Sequence, residues 1–100
     1  MKKLNIFSLL ALKGTIKILK ALVDRRGLTF SELVEIIGQP STTSRALKEL
    51  LKYNLINRKV LDERYRPVMY SLTVDGRKLA EIVLMLIEFE KELNSKLNLA

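Results

Sequence analysis

The two-residue break at Gly38-Gln39 limits the possible folds of this chain more than any other feature of its sequence, because it separates two amphipathic helical patterns. Thr29 and Glu32, at the start of the first pattern, have the T-x-x-E spacing of a helix-capping box. Pro40 suits the first position of the second helix, since its missing N–H has no intrahelical partner there. Two helices joined by so short a turn form a helix-turn-helix, which the sequence therefore predicts.

The second of these helices has a polar front and an apolar back. Its inward side is predicted to consist of Thr43, Leu47, Leu50 and Leu51. Its front carries short hydroxyl side chains followed by two cations at helical spacing, namely Ser41, Thr42, Ser44, Arg45 and Lys48. A helix that only packs against a core needs no such front, whereas a helix that inserts its first turns between phosphates does.

Helical patterns also lie on either side of this motif. Residues 15–26 carry an apolar stripe, for which Thr15 is the expected N-cap. Asn54 is expected to end the helix that begins at Pro40 in a left-handed conformation. Thr73 is the expected cap of a last helix that reaches the mid-90s.

The pattern changes to that of strands between these helices. Residues 56–61 and 68–72 read as two strands, and the polar loop between them carries Arg64 and Arg66. Two short strands are not stable alone and are expected to pack on the helices. The predicted fold is mainly α with a small β-hairpin: a three-helix core, a two-stranded hairpin and a long C-terminal helix.

The last helix carries an apolar seam at 3-4-3-4 spacing, which is typical of a coiled coil. The seam is Leu79, Ile82, Leu86, Phe89 and Leu93, and it is widened by Val83, Leu84, Met85 and Ile87. The N-terminal segment 4–12 is apolar on several faces, through side chains that include Ile6, Phe7 and Leu10. A long apolar helix can instead cap its own domain, but one chain offers little surface to cover both segments. We expect them to form a homodimer interface.

The amino-acid composition limits the partners and the kinds of site that this chain can have. Eighteen Lys and Arg against eleven Asp and Glu give a net charge of +7, which favours polyanionic partners. The chain has no Cys and no His, and no carboxylate cluster stands out, so we expect no metal site, no cofactor and no enzymatic activity. The longest apolar run, 82–87, is far shorter than the ~20 residues that span a bilayer. No signal peptide is recognised, and we expect a cytoplasmic protein without membrane association.

Three segments together resemble the winged helix-turn-helix regulators of the MarR and HxlR type. They are LTFSELVEIIG (28–38), STTSRALKELLKYNLINR (41–58) and VMYSLTVDGRKL (68–79), the last being similar to the segment that leads from the wing to the dimer helix. The resemblance covers roughly residues 14–80. Asn54 departs from the usual glycine, and the absence of cysteine makes the thiol switch of redox-sensing members impossible.

The resemblance implies a homodimeric regulator that binds double-stranded DNA at a pseudo-palindromic site, in the nucleoid. It implies one domain over 1–100, with core and wing at 14–73 and dimerisation elements at 4–12 and 74–97. DNA contacts would come from Pro40, Ser41, Thr42, Ser44, Arg45, Lys48, Arg64 and Arg66. Arg45 can pair with guanine or clamp a phosphate, and the wing arginines can reach the minor groove, contact the flanking backbone or remain solvated.

Other functions fit some of these features. A winged-helix module for protein–protein contacts within a larger assembly would use the apolar terminal segments. Binding to a membrane surface is opposed by the few charges on the N-terminal segment. Members of the group often bind small aromatic effectors between the dimer helices and the winged domains; Tyr53, Tyr70 and Phe89 would either line such a space or belong to the core.

Overall fold

Five helices and three strands make up the part of the chain that the computed structural model describes, which is residues 3–61, 64 and 67–99. In chain order they are α1 (Ile6–Ala11), α2 (Thr15–Val23), β1 (Leu28–Thr29), α3 (Phe30–Ile37), α4 (Pro40–Lys52), β2 (Ile56–Val60), β3 (Val68–Leu72) and α5 (Val74–Leu99). The helix-turn-helix predicted around Gly38-Gln39 is therefore α3 and α4.

Helices α2, α3 and α4 enclose the core, and the first half of α5 packs along α2. The side chains of Leu19, Leu22, Leu33 and Leu50 are completely buried. Each such leucine stabilises the fold by about 1.5–3 kcal/mol. Because the apolar side of α4 is fixed in this core, the opposite side of the helix is held toward solvent.

The three strands form one antiparallel sheet in the order β1-β3-β2. Ile56 lies opposite Leu72 and Val60 opposite Val68, as in the predicted hairpin. The third strand, β1, was not predicted: it is two residues long and pairs Leu28 with Tyr70. So short a strand has no alternation pattern of its own, and only the pairing with β3 defines it.

Three of the predicted helix ends are confirmed. In the capping box, the Glu32 N–H donates to Thr29 Oγ1 at 3.2 Å, and the Thr29 N–H donates to Glu32 Oε1 at 2.9 Å. Asn54 has a φ of 57°, and the next N–H, of Leu55, closes the end of α4. The Gly76 N–H donates to Thr73 Oγ1 at 3.0 Å, which caps α5.

The predicted N-cap at Thr15 is wrong. Gly14 precedes the helix with a φ of 92°, a left-handed conformation that an N-cap threonine does not adopt readily. Thr15 is instead the first helical residue, its side chain is buried, and its Oγ1 has no hydrogen-bond partner within the described residues.

Helix α5 gives the molecule its length. The 26 residues of this helix correspond to about 39 Å at 1.5 Å per residue, in a molecule 58 Å long and 24 Å thick. Its second half extends past the core. Among the described residues, no helix combines the length and apolar character needed to cross a membrane.

Candidate nucleic-acid interface

The exposed side of α4 is polar and cationic. Its buried side is formed by Thr43, Ala46, Leu47 and Leu50. Its exposed side carries the predicted Pro40, Ser41, Ser44, Arg45 and Lys48. These five side chains lie on one continuous surface because the buried residues fix the rotation of the helix.

Thr42 departs from the prediction that it lies on this front. Its side chain is half-buried, and its Oγ1 donates to Gln39 Oε1 at 3.2 Å. Its methyl group faces the turn before α2, since a Cβ built on Gly14 would lie 3.5 Å from Thr42 Cγ2. Thr42 therefore helps to hold the start of α4 against α2 and leaves the front to its neighbours.

The two flanks of α4 face different parts of the molecule. On one flank, Ser44 and Lys48 border a cleft shared with Tyr70 of the sheet. On the other flank, Arg45 and Tyr53 face α1 across a groove that is also lined by Lys3, Asn5, Ser8, Leu9, Leu12 and Glu49. The front is thus bounded by the wing on one side and by α1 and α2 on the other.

Arg45 and Lys48 lie in the middle of α4, and Lys52 lies at its end. Toward its end, Lys52 Nζ lies 3.9 Å from the Glu49 carboxylate and 5.4 Å from the centre of the Tyr53 ring. This pair compensates the charge of Lys52 in part. Arg45 and Lys48 consequently give the front most of its positive character.

The wing adds two cations that the sequence analysis missed, Arg58 and Lys59. Both are exposed on β2, where every residue after Ile56 is exposed. Arg58 lies opposite Tyr70 and borders a cleft shared with Ser31, near the start of α3. The run of three polar residues in INRKV was the available signal, because it is typical of an edge strand with little burial.

The predicted wing-tip arginines are only partly described. Arg64 lies in a turn between β2 and β3, and its side chain is exposed. Arg66 lies outside the described residues.

The start of α3 has its own electrostatic feature. Backbone and side-chain hydrogen bonds from Thr29 lower the pKa of Glu32 below its ordinary value, and Arg25 adds a smaller effect in the same direction. The carboxylate of Glu32 is therefore held ionised at the positive end of the helix.

The apolar residues assigned to a dimer interface divide into two sets. Leu79 and Val83 are 6% and 3% exposed, so they belong to the core of their own chain and offer no surface to a partner. The exposed set comprises Ile6, Phe7, Ile82, Leu86, Phe89 and Leu93, and Leu10 is half-buried. Phe7 is 82% exposed and Phe89 54%. Met85, predicted to widen the seam, and Leu97, which was not predicted, are also exposed on α5.

The three aromatic residues considered for an effector site are not brought together. Tyr53 faces α1, Tyr70 is a buried residue of β3, and Phe89 is exposed on α5. In the part of the chain that the structure describes, the groove at α1 and the two clefts beside the sheet each contain only one of the three. Among the described residues, no group of acidic side chains has the arrangement of a metal site.

The sequence profile of the HxlR-like helix-turn-helix family matches residues 9–97, which is most of the chain. The chain belongs to this family. The predicted resemblance to MarR and HxlR regulators and the predicted winged-helix fold are thereby confirmed. The family and its structural neighbours are regulators and not enzymes, in agreement with the sequence analysis.

Solved structures of similar proteins support this assignment. The reduced transcriptional regulator YodB from B. subtilis is 30% identical, with a TM-score of 0.68 over 84% of this chain and 83% of that one. The MarR family transcriptional regulator SPO1453 from Silicibacter pomeroyi DSS-3 is 28% identical, with a TM-score of 0.72 over 92% and 66%. The S. aureus MepR–DNA complex shares the fold at 22% identity, with a TM-score of 0.70 over 93% and 80%. No curated protein sequence matches the chain.

Proposed function

We propose that this chain is a transcription regulator that binds double-stranded DNA sequence-specifically as a homodimer. The observation that carries the proposal is the exposed front of α4, where short hydroxyls and two cations are held outward by the buried side of the same helix. The structure of MepR with DNA supports it, since a protein of the same fold binds DNA.

In this proposal the first turns of α4 enter the major groove. Ser41 and Ser44 are short enough to let the helix backbone approach closely and to donate to phosphates or base edges. Arg45 is the residue of the front that can bind guanine through two hydrogen bonds. Lys48, one turn further along, is placed for the phosphates at the edge of the groove.

The wing binds beside the groove. Arg58 and Lys59 on β2 and Arg64 in the turn that follows are exposed cations. We assign them, together with Arg66, to the flanking backbone or the adjacent minor groove. A wing that binds in this way fixes the angle of α4 without reading the same bases.

The dimer uses the exposed apolar stripe of α5 and the N-terminal segment. Ile82, Leu86, Phe89 and Leu93 are exposed along one side of a helix that extends beyond its own core. An apolar stripe of this length is typical of an interaction surface. In a two-fold dimer formed through α5, each copy covers the apolar stripe of the other. Ile6, Phe7 and Leu10 of α1 lie alongside this interface.

Such a dimer sets the two α4 helices about 34 Å apart, one turn of DNA, and predicts a pseudo-palindromic site. The chain then acts as one domain, with residues 14–73 on DNA and residues 4–12 and 74–97 in the dimer. Its place of action is the nucleoid, in the cytoplasm.

The test compares binding to a selected duplex with binding to a random duplex across a salt series. We expect affinity to fall steeply with salt on both, and the selected duplex to bind about 10³-fold or more tightly. An affinity that is independent of salt and of sequence contradicts the proposal. A monomer that ignores DNA and heparin but captures a partner protein would indicate the interaction-module function instead.

A further inference from the structure

A second set of cations lies on α2 and in the turn before it. Lys17 and Lys20 are three residues apart and lie on one side of α2, and Lys13, in the turn before the helix, borders the same cleft as Lys17. All three are exposed. We call these residues the α2 lysine strip. Their pattern in the sequence alone predicted no function for them.

The charge of the strip is not compensated within the described part of the chain. None of the three lysines makes an ion pair or a hydrogen bond there. Two neighbouring clefts border the strip, and both are lined by apolar residues and these lysines, with no carboxylate. The strip is therefore open to a negatively charged partner.

The strip begins beside the first turn of α4. Lys13 directly precedes Gly14, whose Cβ position lies 3.5 Å from the methyl group of Thr42. Thr42 is on the flank of α4 that faces α2, whereas Ser44 and Lys48 are on the flank that faces the sheet. The strip and the wing thus lie on opposite sides of α4.

A helix in the major groove, which is about 12 Å wide, has a phosphate backbone on each side. The wing cations are placed for one of these backbones, and Lys13 and Lys17 are placed for the other. We infer that Lys13 and Lys17 bind backbone phosphates on the side of the major groove opposite to the wing. Lys20 lies almost one turn further along α2 and contributes less.

This inference rests on the proposed DNA-binding function and adds a second border contact to it. Phosphate contacts position a protein on the duplex without reading sequence. Contacts on both borders add affinity equally on every sequence, while Ser41, Ser44 and Arg45 carry the preference for particular bases.

The test measures binding of the full chain to a selected duplex and to a random duplex, from about 50 to about 200 mM salt. The variants are K13Q/K17Q, K20Q, and K91Q as a control that removes one positive charge from the exposed side of α5 opposite to Ile82. For K13Q/K17Q we expect the slope of log affinity against log salt to flatten by about 1.8 per half-site, which is about 0.9 for each phosphate contact. At about 0.1 M salt, the loss of one phosphate contact corresponds to roughly tenfold weaker binding.

The preference for the selected duplex over the random one should stay unchanged in K13Q/K17Q, while K20Q shows a smaller change of slope and K91Q none. A K13Q/K17Q slope equal to that of the wild type, with the wild type still binding DNA, overturns this inference and leaves the proposed function intact. The strip, beside the exposed Ile16 and Ile36, would then belong to a protein contact. A wild type that does not bind DNA overturns both. Equal melting temperatures establish that the variants are folded.

Discussion

Gly76 of α5 packs directly on the backbone of Leu55, so closely that a Cβ on Gly76 would lie 1.7 Å from the Leu55 carbonyl oxygen. Two hydrogen bonds hold the same junction: the Thr73 N–H donates to the Leu55 carbonyl at 3.1 Å, and Thr73 Oγ1 donates to the Asn54 carbonyl at 2.8 Å. The start of the proposed dimer helix is thereby fixed to the end of the proposed recognition helix. In the proposed dimer, this junction would transmit the geometry of the interface to the front of α4.

The substitution Gly76→Ala should destabilise the protein by about 1–3 kcal/mol, because the added methyl group forces the backbone of α5 away from Leu55. Urea unfolding of the two proteins measures the difference. Lys78→Ala, at an exposed position two residues further along α5, is the control and should change stability by less than about 0.5 kcal/mol. Equal stability of G76A and the wild type would show that this contact is looser than described.

The substitution Arg45→Ala should weaken binding to the selected duplex by about 1–3 kcal/mol if Arg45 pairs with a base. Binding to a random duplex should then change much less. Fluorescence anisotropy on both duplexes measures the two losses. An equal loss on both would assign Arg45 to a phosphate, and no loss on either would remove it from the interface.

Phe89→Glu should convert the dimer to a monomer without unfolding the chain, because Phe89 is exposed when the chain is alone. Burying an aromatic side chain contributes about 1.5–3 kcal/mol, and a two-fold interface loses two copies. Sedimentation velocity measures the mass, and circular dichroism the helix content. Ser95→Glu is a suitable control, since this position lies about 200° around the helix from Leu93. A Phe89→Glu protein with the sedimentation of the wild type would exclude Phe89 from the interface.

The capping box should make stability depend on pH. Because the pKa of Glu32 is lower in the folded chain than its ordinary value of 4.5, the ionised carboxylate stabilises the fold above that value. This contribution is lost as the pH falls through the lowered pKa. Glu32→Gln should therefore cost stability at neutral pH, and the difference from the wild type should shrink in acid. Urea unfolding on both sides of the ordinary value tests this, with Glu35→Gln as the control. A difference that is the same at both pH values would exclude an electrostatic origin.

The sequence predicted the features whose cause is local. The capping box at Thr29 and Glu32, the left-handed Asn54 and the cap at Thr73 each depend on a few neighbouring residues, and each is observed. The polar front of α4 was likewise predictable, because one amphipathic pattern sets both the buried and the exposed side of a helix.

The sequence did not predict features that depend on distant contacts. β1 exists only through its pairing with β3, and Thr42 is drawn to the flank by Gln39 and Gly14. The seam of α5 marks apolar positions but does not distinguish the chain's own core from a partner. Leu79 and Val83 were therefore assigned to the dimer, although they lie in the core. Likewise, the polar run in INRKV indicated an edge strand, but only the folded chain brings Arg58 to the cleft near the start of α3.

Selection of bound duplexes from a random pool tests the central claim most directly, because it reports specificity, symmetry and spacing at once. The claim is that two copies of the α4 front meet the same face of DNA. The predicted result is an enriched inverted repeat with half-site centres about 10 base pairs apart, reflecting the 34 Å separation of the two helices. Recovery of a pool with no enriched sequence, or of a single half-site with no partner at fixed spacing, would contradict it.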